Sequence, residues 1–430
     1  MIKYKKVVLI IPPSPWLISD TDLPFLGILY ISSYLKQFRY EVEVCDLSGL
    51  REKEWKIPVG DIYGVTGTSP NFIYMNRIIN ILKEREPNKL VIVGGAHAST
   101  YPQHLIENTR ADIIVVGQGE EIMLEIAEGC YTGNKYPIII YENKKEIKDI
   151  DRYPIPDLSA IDFYKYAKSQ TFKYLLGDVR EATLLTARGC PFNCAFCAQH
   201  SIFGGHIAYH SLQRIKEEIG VLINEYKVNL IYFLDDTFIL DRERVIKICS
   251  MIERYYPDLR WHCLSRVDTV DKELLAIMYN SGCVQLVFGF ESGSDYILKK
   301  INKKTTIEQA YNAIKLVKEC NMKVRGQLIV GLPFETKDTV EETANFIRRA
   351  KEVDTFGLHM FQPYPGCLIW SSPEQFGYVI EKNTDFKDYH TIGNPDETLT
   401  YDYNKQEWFD YLKQVIGDRN IEKQGALIDK

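Results

Sequence analysis

The chain has 430 residues, 45% of them hydrophobic, enough for two or three domains with cores of their own. Its formal net charge of -6 offers no basic domain and argues against a nucleic-acid partner. Ten cysteines with a single tight group exclude a disulfide framework and point to a reducing, cytoplasmic compartment, and no apolar run approaches membrane-spanning length.

Val7–Ile11 is a short apolar run followed by Pro12 and Pro13 without a small-residue cleavage site, so it reads as a buried strand and not a signal peptide. Further strands fall at Val42–Cys45, Ile62–Thr66, Leu90–Val93 and Ile113–Val116, with helical stretches near 24–38, 71–86, 102–109 and 120–129. This alternation predicts an α/β domain over residues 1–130, a doubly wound (Rossmann-like) parallel sheet. Ligands of such sheets sit at the carboxyl ends of the strands. Those ends carry Pro13 and Ser14, then Thr68 and Ser69 behind Gly67, then Gly94, Gly95 and His97, then Gly117, Gly119 and Glu120. Glycines admit close approach of a ligand to backbone, and hydroxyls bond it. One glycine pair reads as a tight turn; four such ends together predict a large ligand. His97 itself reads as a packing or loop-bonding residue.

Residues 131–180 form a connector. Pro137–Tyr141 with residues 142–146 predicts a hairpin, the prolines of Tyr153–Asp157 keep that stretch extended, and aromatics in Phe163–Tyr166 and at 172–176 suit the cover of a domain joint. Residues 181–370 repeat strand and helix. Strands are expected at 183–186, 229–234, 259–264, 284–290, 324–330 and 355–361, and helices near 211–226, 241–255, 271–281, 306–321 and 336–351. Thr306 with Gln309 spells a capping box, and Asp241 and Thr336 suit N-caps. Six strands with intervening helices predict a partial (β/α)6 barrel, whose chemistry belongs at the carboxyl end of the strands. A short C-terminal extension, 371–430, is rich in aromatics (Phe376, Tyr378, Phe386, Tyr389, Tyr401, Tyr403), and its helical stretch Trp408–Ile416 is expected to close the barrel.

The loop after the first barrel strand holds Cys190, Cys194 and Cys197 in a C-x-x-x-C-x-x-C spacing. Three thiols on one loop suit three irons of a 4Fe–4S cubane, with the fourth iron open; with His200 the same thiols spell a Cys3His zinc site. Spacing alone leaves both readings standing. Cys45, Cys130, Cys249, Cys283 and Cys320 read as small core residues, while Cys263 and Cys367 fall at strand ends.

The cysteine loop and the strand ends around it resemble the radical S-adenosylmethionine (SAM) superfamily. The resemblance implies Phe196 near the adenine, Asp235 or Asp236 on the SAM ammonium, Arg266 toward its carboxylate, Glu291 and Ser292 on its polar groups, and the backbone at Gly331 beside the adenine. In the G-x-I-x-G-x-x-E region Gln327 replaces the first glycine and one extra residue precedes Glu335. Residues 1–130 resemble the cobalamin-binding domain found ahead of radical SAM domains, through Leu9–Pro13, Leu23–Gly27, Val44–Asp46, Val93–His97 and Val116–Glu120. That likeness implies cobalamin contacts from Gly27 and from the strand-end residues named above. No histidine precedes His97, so the D-x-H-x-x-G loop is absent and the cobalamin is expected base-off.

Together the two resemblances imply an enzyme that cleaves SAM reductively at a 4Fe–4S cluster. They imply methyl transfer from methylcobalamin to an unactivated carbon or phosphorus centre. The alternatives are a cyclisation or rearrangement without methyl transfer, a methylthiotransferase, and a non-enzymatic cobalamin carrier. The implied partners are a small-molecule, lipid or peptide substrate and an electron donor such as flavodoxin or ferredoxin.

Overall fold

The structure is a computed structural model that describes residues 4–15, 17, 20–21, 23–131, 135–141, 149–167, 179–380, 385–386 and 405–419. Two parallel sheets organise it. The first holds β1 (Lys6–Ile11), β2 (Glu41–Asp46), β3 (Ile62–Val65), β4 (Leu90–Val93), β5 (Ile113–Val116) and β6 (Ile138–Tyr141), in the order β2-β1-β3-β4-β5-β6. β1, β3 and β5 are Val- and Ile-rich runs buried on both faces, the pattern of a parallel sheet covered by helices on each side. The first arm of the expected hairpin is a strand of this sheet, and its second arm, residues 142–146, lies outside the described residues. Ile138 to Tyr141 pair in parallel with Ile113 to Val116 and extend the first sheet by an edge strand.

β7 (Glu181–Leu184) opens the second sheet. A two-stranded ribbon of β8 (Ala187–Arg188) and β9 (Ala208–Tyr209) follows. β10 (Leu230–Phe233), β11 (Arg260–Ser265), β12 (Cys283–Glu291), β13 (Lys323–Val330) and β14 (Thr355–Met360) then add in chain order beside β7. Sequential parallel addition without reversal makes an open barrel. One face of it, with Leu184, Phe233, Cys263, Leu286, Val324 and Phe356, packs on helix residues such as Ile215, Ile248, Ala313 and Ile347. Cys263 therefore belongs to the helix-facing core. Asp241 accepts the Arg244 N–H at 3.0 Å and Thr306 accepts the Gln309 N–H at 3.2 Å, each cap contributing about 1 kcal/mol.

A single apolar cluster runs from Leu9 and Ile28 in the first domain to Ile215 and Leu286 in the second, so the two domains share a core. The tail helix, Lys405–Ile416, packs on β14 and on the helix Lys337–Arg349. Phe386 departs from the expected barrel closure: it is fully buried against Phe72, His97 and His104 of the first domain. The expected roles of residues 142–146, 172–176, Tyr389, Tyr401 and Tyr403 lie outside the described residues. No helix among the described residues is long and apolar enough to cross a membrane.

Candidate functional site

The cysteine loop is a closed excursion from the barrel. Its stem is tied by Asp235, 2% exposed at the end of β10, which accepts the Thr186 N–H at 2.6 Å, the Ala187 N–H at 3.1 Å and the Thr186 hydroxyl. Arg244 donates to the Thr186 carbonyl at 2.6 Å. β8 and β9 then clasp the two ends of the excursion. Gly189 turns with φ +99°, and a Cβ there would stand 2.1 Å from the His206 carbonyl oxygen, so only glycine fits. The far side of the loop is fastened by Ala195 N–H to the Ile301 carbonyl (2.8 Å) and Asn302 Nδ2 to the Asn193 carbonyl (2.6 Å). All three cysteines are free.

Burial pushes the Cys197 thiol up to about 12 and raises Cys194 as well, with neighbouring thiols adding to both, so without a metal these thiols stay protonated. The three thiols stand within electrostatic reach of one another. A cubane takes one thiolate per iron across its corners. The donor set fits a 4Fe–4S cluster held by Cys190, Cys194 and Cys197.

The two adjacent carboxylates of β10's end diverge. Asp235 is spent on the loop stem, whereas Asp236 lines the cavity described below, accepts from Gln199 Nε2 at 2.7 Å, and is raised to about 6 by burial. Lys303, which the sequence did not single out, joins three expected residues. Its Nζ meets Glu291 at 2.6 Å and lies 5.8 Å from the Phe196 ring centre, and its carbonyl accepts from Arg266 at 2.9 Å. Arg266 also grips Asp268 through two 2.9 Å bonds and stacks 3.8 Å from the centre of Phe192, bracing the cysteine loop. Ser292 is turned into the helix Lys337–Arg349 through Thr343 (3.3 Å). Gly331 (φ +84°) donates its N–H to Glu335 at 2.5 Å, so the extra residue before Glu335 does not prevent it from bracing that turn.

A cavity of about 550 Å³ lies between the carboxyl ends of the two sheets. From the first domain it is walled by Gly27, Gly94, Gly95, Gly117, Gly119 and Glu120, as the sequence implies, and by Thr66 and Gln118 besides. It runs down between sheet and helices past Leu9, Gly64, Ile92 and Met123. The barrel side supplies Leu185, Leu234, Asp236 and Leu264, and the cysteine loop supplies Arg188, Gly189 and Gln199. A large apolar space walled by glycine backbone and open to the loop fits a flat macrocycle with a tail.

The remaining strand-end candidates are engaged elsewhere. Pro13 and Ser14 accept from Asn71 Nδ2 (3.0 and 2.9 Å), and Thr68 bonds Asn71 Oδ1 through its N–H at 2.9 Å and its hydroxyl at 2.7 Å. The Ser69 hydroxyl meets His97 Nδ1 at 2.9 Å. His97 is fully buried, lies 3.2 Å from His104, and is pushed down to about 3 by burial, so its imidazole is neutral.

Arg188 lines the cavity and is a residue that motif reading passed over. Its guanidinium pairs with Glu120 at 2.8 Å, donates to Gln118, and lies over the Tyr30 and Tyr153 rings at 4.6 and 5.3 Å. Nearby, Arg214 Nε lies 3.3 Å from Glu218, and burial raises the Glu218 carboxyl to about 7. The folded chain keeps a proton on Glu218 between about 4.5 and 7 that the unfolded chain has released; this contribution is full below that window and lost as pH rises through it. The stability advantage of wild type over Glu218→Gln is therefore expected to shrink between about pH 5 and 8, read as the difference in thermal midpoint. A difference that stays flat across this window would show the carboxylate to be ionised throughout.

Comparison with known proteins agrees with this arrangement. Residues 184–347 match the Radical SAM superfamily and residues 19–127 the B12 binding domain. The fold and site thus define a two-domain radical SAM enzyme with a corrinoid-binding domain ahead of its barrel. The chain is 31% identical over 407 residues to the uncharacterized methyltransferase PH0819 of Pyrococcus horikoshii, covering 89% of this chain and 84% of that one. It is 29% identical over 396 residues to the anaerobic magnesium-protoporphyrin IX monomethyl ester cyclase of Rubrivivax gelatinosus, covering 86% and 69%. Among solved structures, the radical SAM methyltransferase TsrM of Kitasatospora setae shares the fold with a TM-score of 0.64 at 18% identity, over 87% of this chain and 77% of that one. The chain belongs to the cobalamin-dependent radical SAM family, and its cofactors are cobalamin, SAM and a 4Fe–4S cluster.

Proposed function

We propose that this enzyme transfers a methyl group to an unactivated carbon or phosphorus centre of a small molecule. The observation that carries the reading is the shared cavity: one wall is the glycine-rich strand ends of the B12 domain, and the other includes the cysteine loop and Asp236. Bound there, cobalamin supplies a methyl carrier and the cluster with SAM supplies a hydrogen-abstracting radical. The protein's own part is to hold and orient. Asp236 accepts the SAM ammonium, and Glu291, Phe196 and Arg266 are held around Lys303 to shape the nucleoside side. The backbone of Gly94, Gly95, Gly117 and Gly119, bare of Cβ atoms, would let the corrinoid come close, and the apolar cavity floor would keep water out. An electron donor of the flavodoxin or ferredoxin kind completes the reaction in a reducing cytoplasm.

Each methyl transferred consumes two SAM: one leaves as S-adenosylhomocysteine, and the other accepts the substrate hydrogen and leaves as 5′-deoxyadenosine and methionine. Reconstituted enzyme given SAM, cobalamin, reductant and substrate is expected to form the two nucleosides in equal amounts. Deoxyadenosine without homocysteine product would sink methyl transfer. It would favour the second reading, a cyclisation or rearrangement, which the similarity to the Rubrivivax cyclase supports. A methylthiotransferase needs a second cluster, and before the loop only Cys45, buried beside the Lys56 carbonyl, and the exposed Cys130 are present.

A further inference from the structure

The cysteine loop has two sides. One lends Arg188, Gly189 and Gln199 to the shared cavity. The other meets the end of the helix Asp295–Lys300 and the turn after it, where Ile301 accepts the Ala195 N–H at 2.8 Å and Asn302 donates to the Asn193 carbonyl at 2.6 Å. Ile369, from beyond the last barrel strand, donates its N–H to the Ala195 carbonyl at 3.1 Å. This side is fastened but not sealed. Pro191 and Asn193 at the loop's tip are exposed, and Cys190 and Cys197 are half-buried. Electron transfer between proteins falls steeply with distance, so a reductant must dock close to these cysteines. The cavity side is the one proposed for SAM and the corrinoid, which leaves the tip side for the reductant.

The segment that holds the tip is Lys299-Lys300-Ile301-Asn302-Lys303-Lys304, four lysines in six residues with no carboxylate, in a chain whose net charge is -6. Lys303 is buried and neutralised by Glu291 at 2.6 Å. Left-handed backbone at Asn302 (φ +56°) and Lys304 (φ +57°) brackets it. Lys299, Lys300 and Lys304 are exposed, and no carboxylate among the described residues pairs with any of them. The nearby acids are engaged elsewhere: Asp295, at the other end of the helix, accepts the Ile307 N–H at 2.8 Å, and Asp268 is gripped by Arg266. Three positive charges therefore stand uncompensated beside the exposed tip, and such a cluster attracts an acidic partner and speeds its encounter. Apolar surface accompanies them. Lys300 Nζ lies 4.7 Å from the Phe334 ring centre and 5.4 Å from that of Tyr296, which is 51% exposed, and Leu368, next to Ile369, is 37% exposed. Redox encounters between proteins are small and steered by charge, and a basic rim with a few apolar side chains at an exposed loop suits one.

We propose that Lys299, Lys300 and Lys304, with the tip of the cysteine loop, form the docking surface for an acidic one-electron carrier protein. This rests on the reading that SAM is cleaved reductively, and it names the place and chemistry of the electron's entry. Each SAM cleaved takes one electron from the carrier, which is oxidised by one. The sulfonium C–S bond breaks to methionine and a nucleoside carbon radical, which takes a hydrogen atom from substrate and leaves as 5′-deoxyadenosine. The test measures 5′-deoxyadenosine formed by the enzyme loaded with cluster, cobalamin and SAM. Three reductants are compared: reduced flavodoxin, reduced ferredoxin, and reduced methyl viologen, a small cation that needs no docking surface. In the triple variant Lys299→Gln, Lys300→Gln, Lys304→Gln the rate with at least one acidic carrier is expected to fall about tenfold or more, and the viologen rate to stay. The wild-type carrier rate should fall as ionic strength rises from about 20 to 200 mM, and the variant's should change little. The matched variant Lys247→Gln, Lys315→Gln, Lys351→Gln loses the same charge from the outer helices and should behave as wild type. A carrier-driven rate unchanged in the first variant, equal losses with carrier and viologen, or carriers that never reduce a wild type active with viologen would each overturn the proposal. A wild-type dimer that the first variant loses would assign the surface to a second copy of this chain instead. Wild type inactive with viologen as well would instead sink the reductive cleavage itself, so the two failures are distinguishable.

Discussion

Cys194→Ala is expected to abolish reductive SAM cleavage, by about three orders of magnitude or more, since each ~1.4 kcal/mol returned to the barrier is tenfold. Cys194 is 8% exposed at the heart of the loop, and the loop's anchors to Ile301, Asn302 and Asp235 do not pass through its side chain. The substitution is small, so the fold is expected to stand at a cost of about 1 kcal/mol. The measurement is threefold: 5′-deoxyadenosine formed per chain, iron content with its visible absorbance, and cobalamin bound at equilibrium. Cleavage and iron should fall together while cobalamin binding stays, because the glycine wall belongs to the other domain. A variant that still cleaves SAM would refute the cluster assignment. Wild-type protein that binds cobalamin yet never cleaves SAM would make the chain a carrier.

Most of the architecture was legible because parallel sheets covered on both faces declare themselves as apolar runs between helical patterns. Ile138–Tyr141 was legible as a strand but its pairing with β5 was not, because three isoleucines after a proline say strand without naming a long-range partner. At the site, the cysteines and the glycine ends can be named from the sequence as candidates because their chemistry is local: thiolate spacing and backbone without a Cβ. Asp235 and Asp236 were not separable, since successive residues at a strand end face opposite sides and only the packed neighbours show which side is the cavity. The mutual engagement of Pro13, Ser14 and Thr68 was hidden for the same reason. They converge on Asn71, a buried amide whose importance appears only when the chain is folded around it. Lys303 was missed because its partners, Glu291, Phe196 and Arg266, come from other strands and loops.

Arg188→Ala is expected to be the most damaging single change outside the cysteines. Arg188 and Glu120 are 9% and 4% exposed in their side chains, so removing the guanidinium leaves a buried carboxylate unpaired, at a cost of about 3–5 kcal/mol. Losing the Tyr30 contact adds about 1 kcal/mol. The pair stands where the loop of one domain touches the strand end of the other, and both residues line the shared cavity. Arg188→Ala should therefore lower the thermal midpoint and weaken cobalamin binding together. Arg188→Lys should restore little, because an ammonium cannot take Glu120 and Gln118 in one fork while lying over Tyr30. Arg188→Met with Glu120→Gln removes both charges and should recover much of the stability but not the cobalamin affinity. That split separates a charge kept for folding from one kept for the cavity. If Arg188→Ala matches wild type in both readouts, the two domains are joined by their common apolar core alone, and the loop and the corrinoid wall are not mechanically linked.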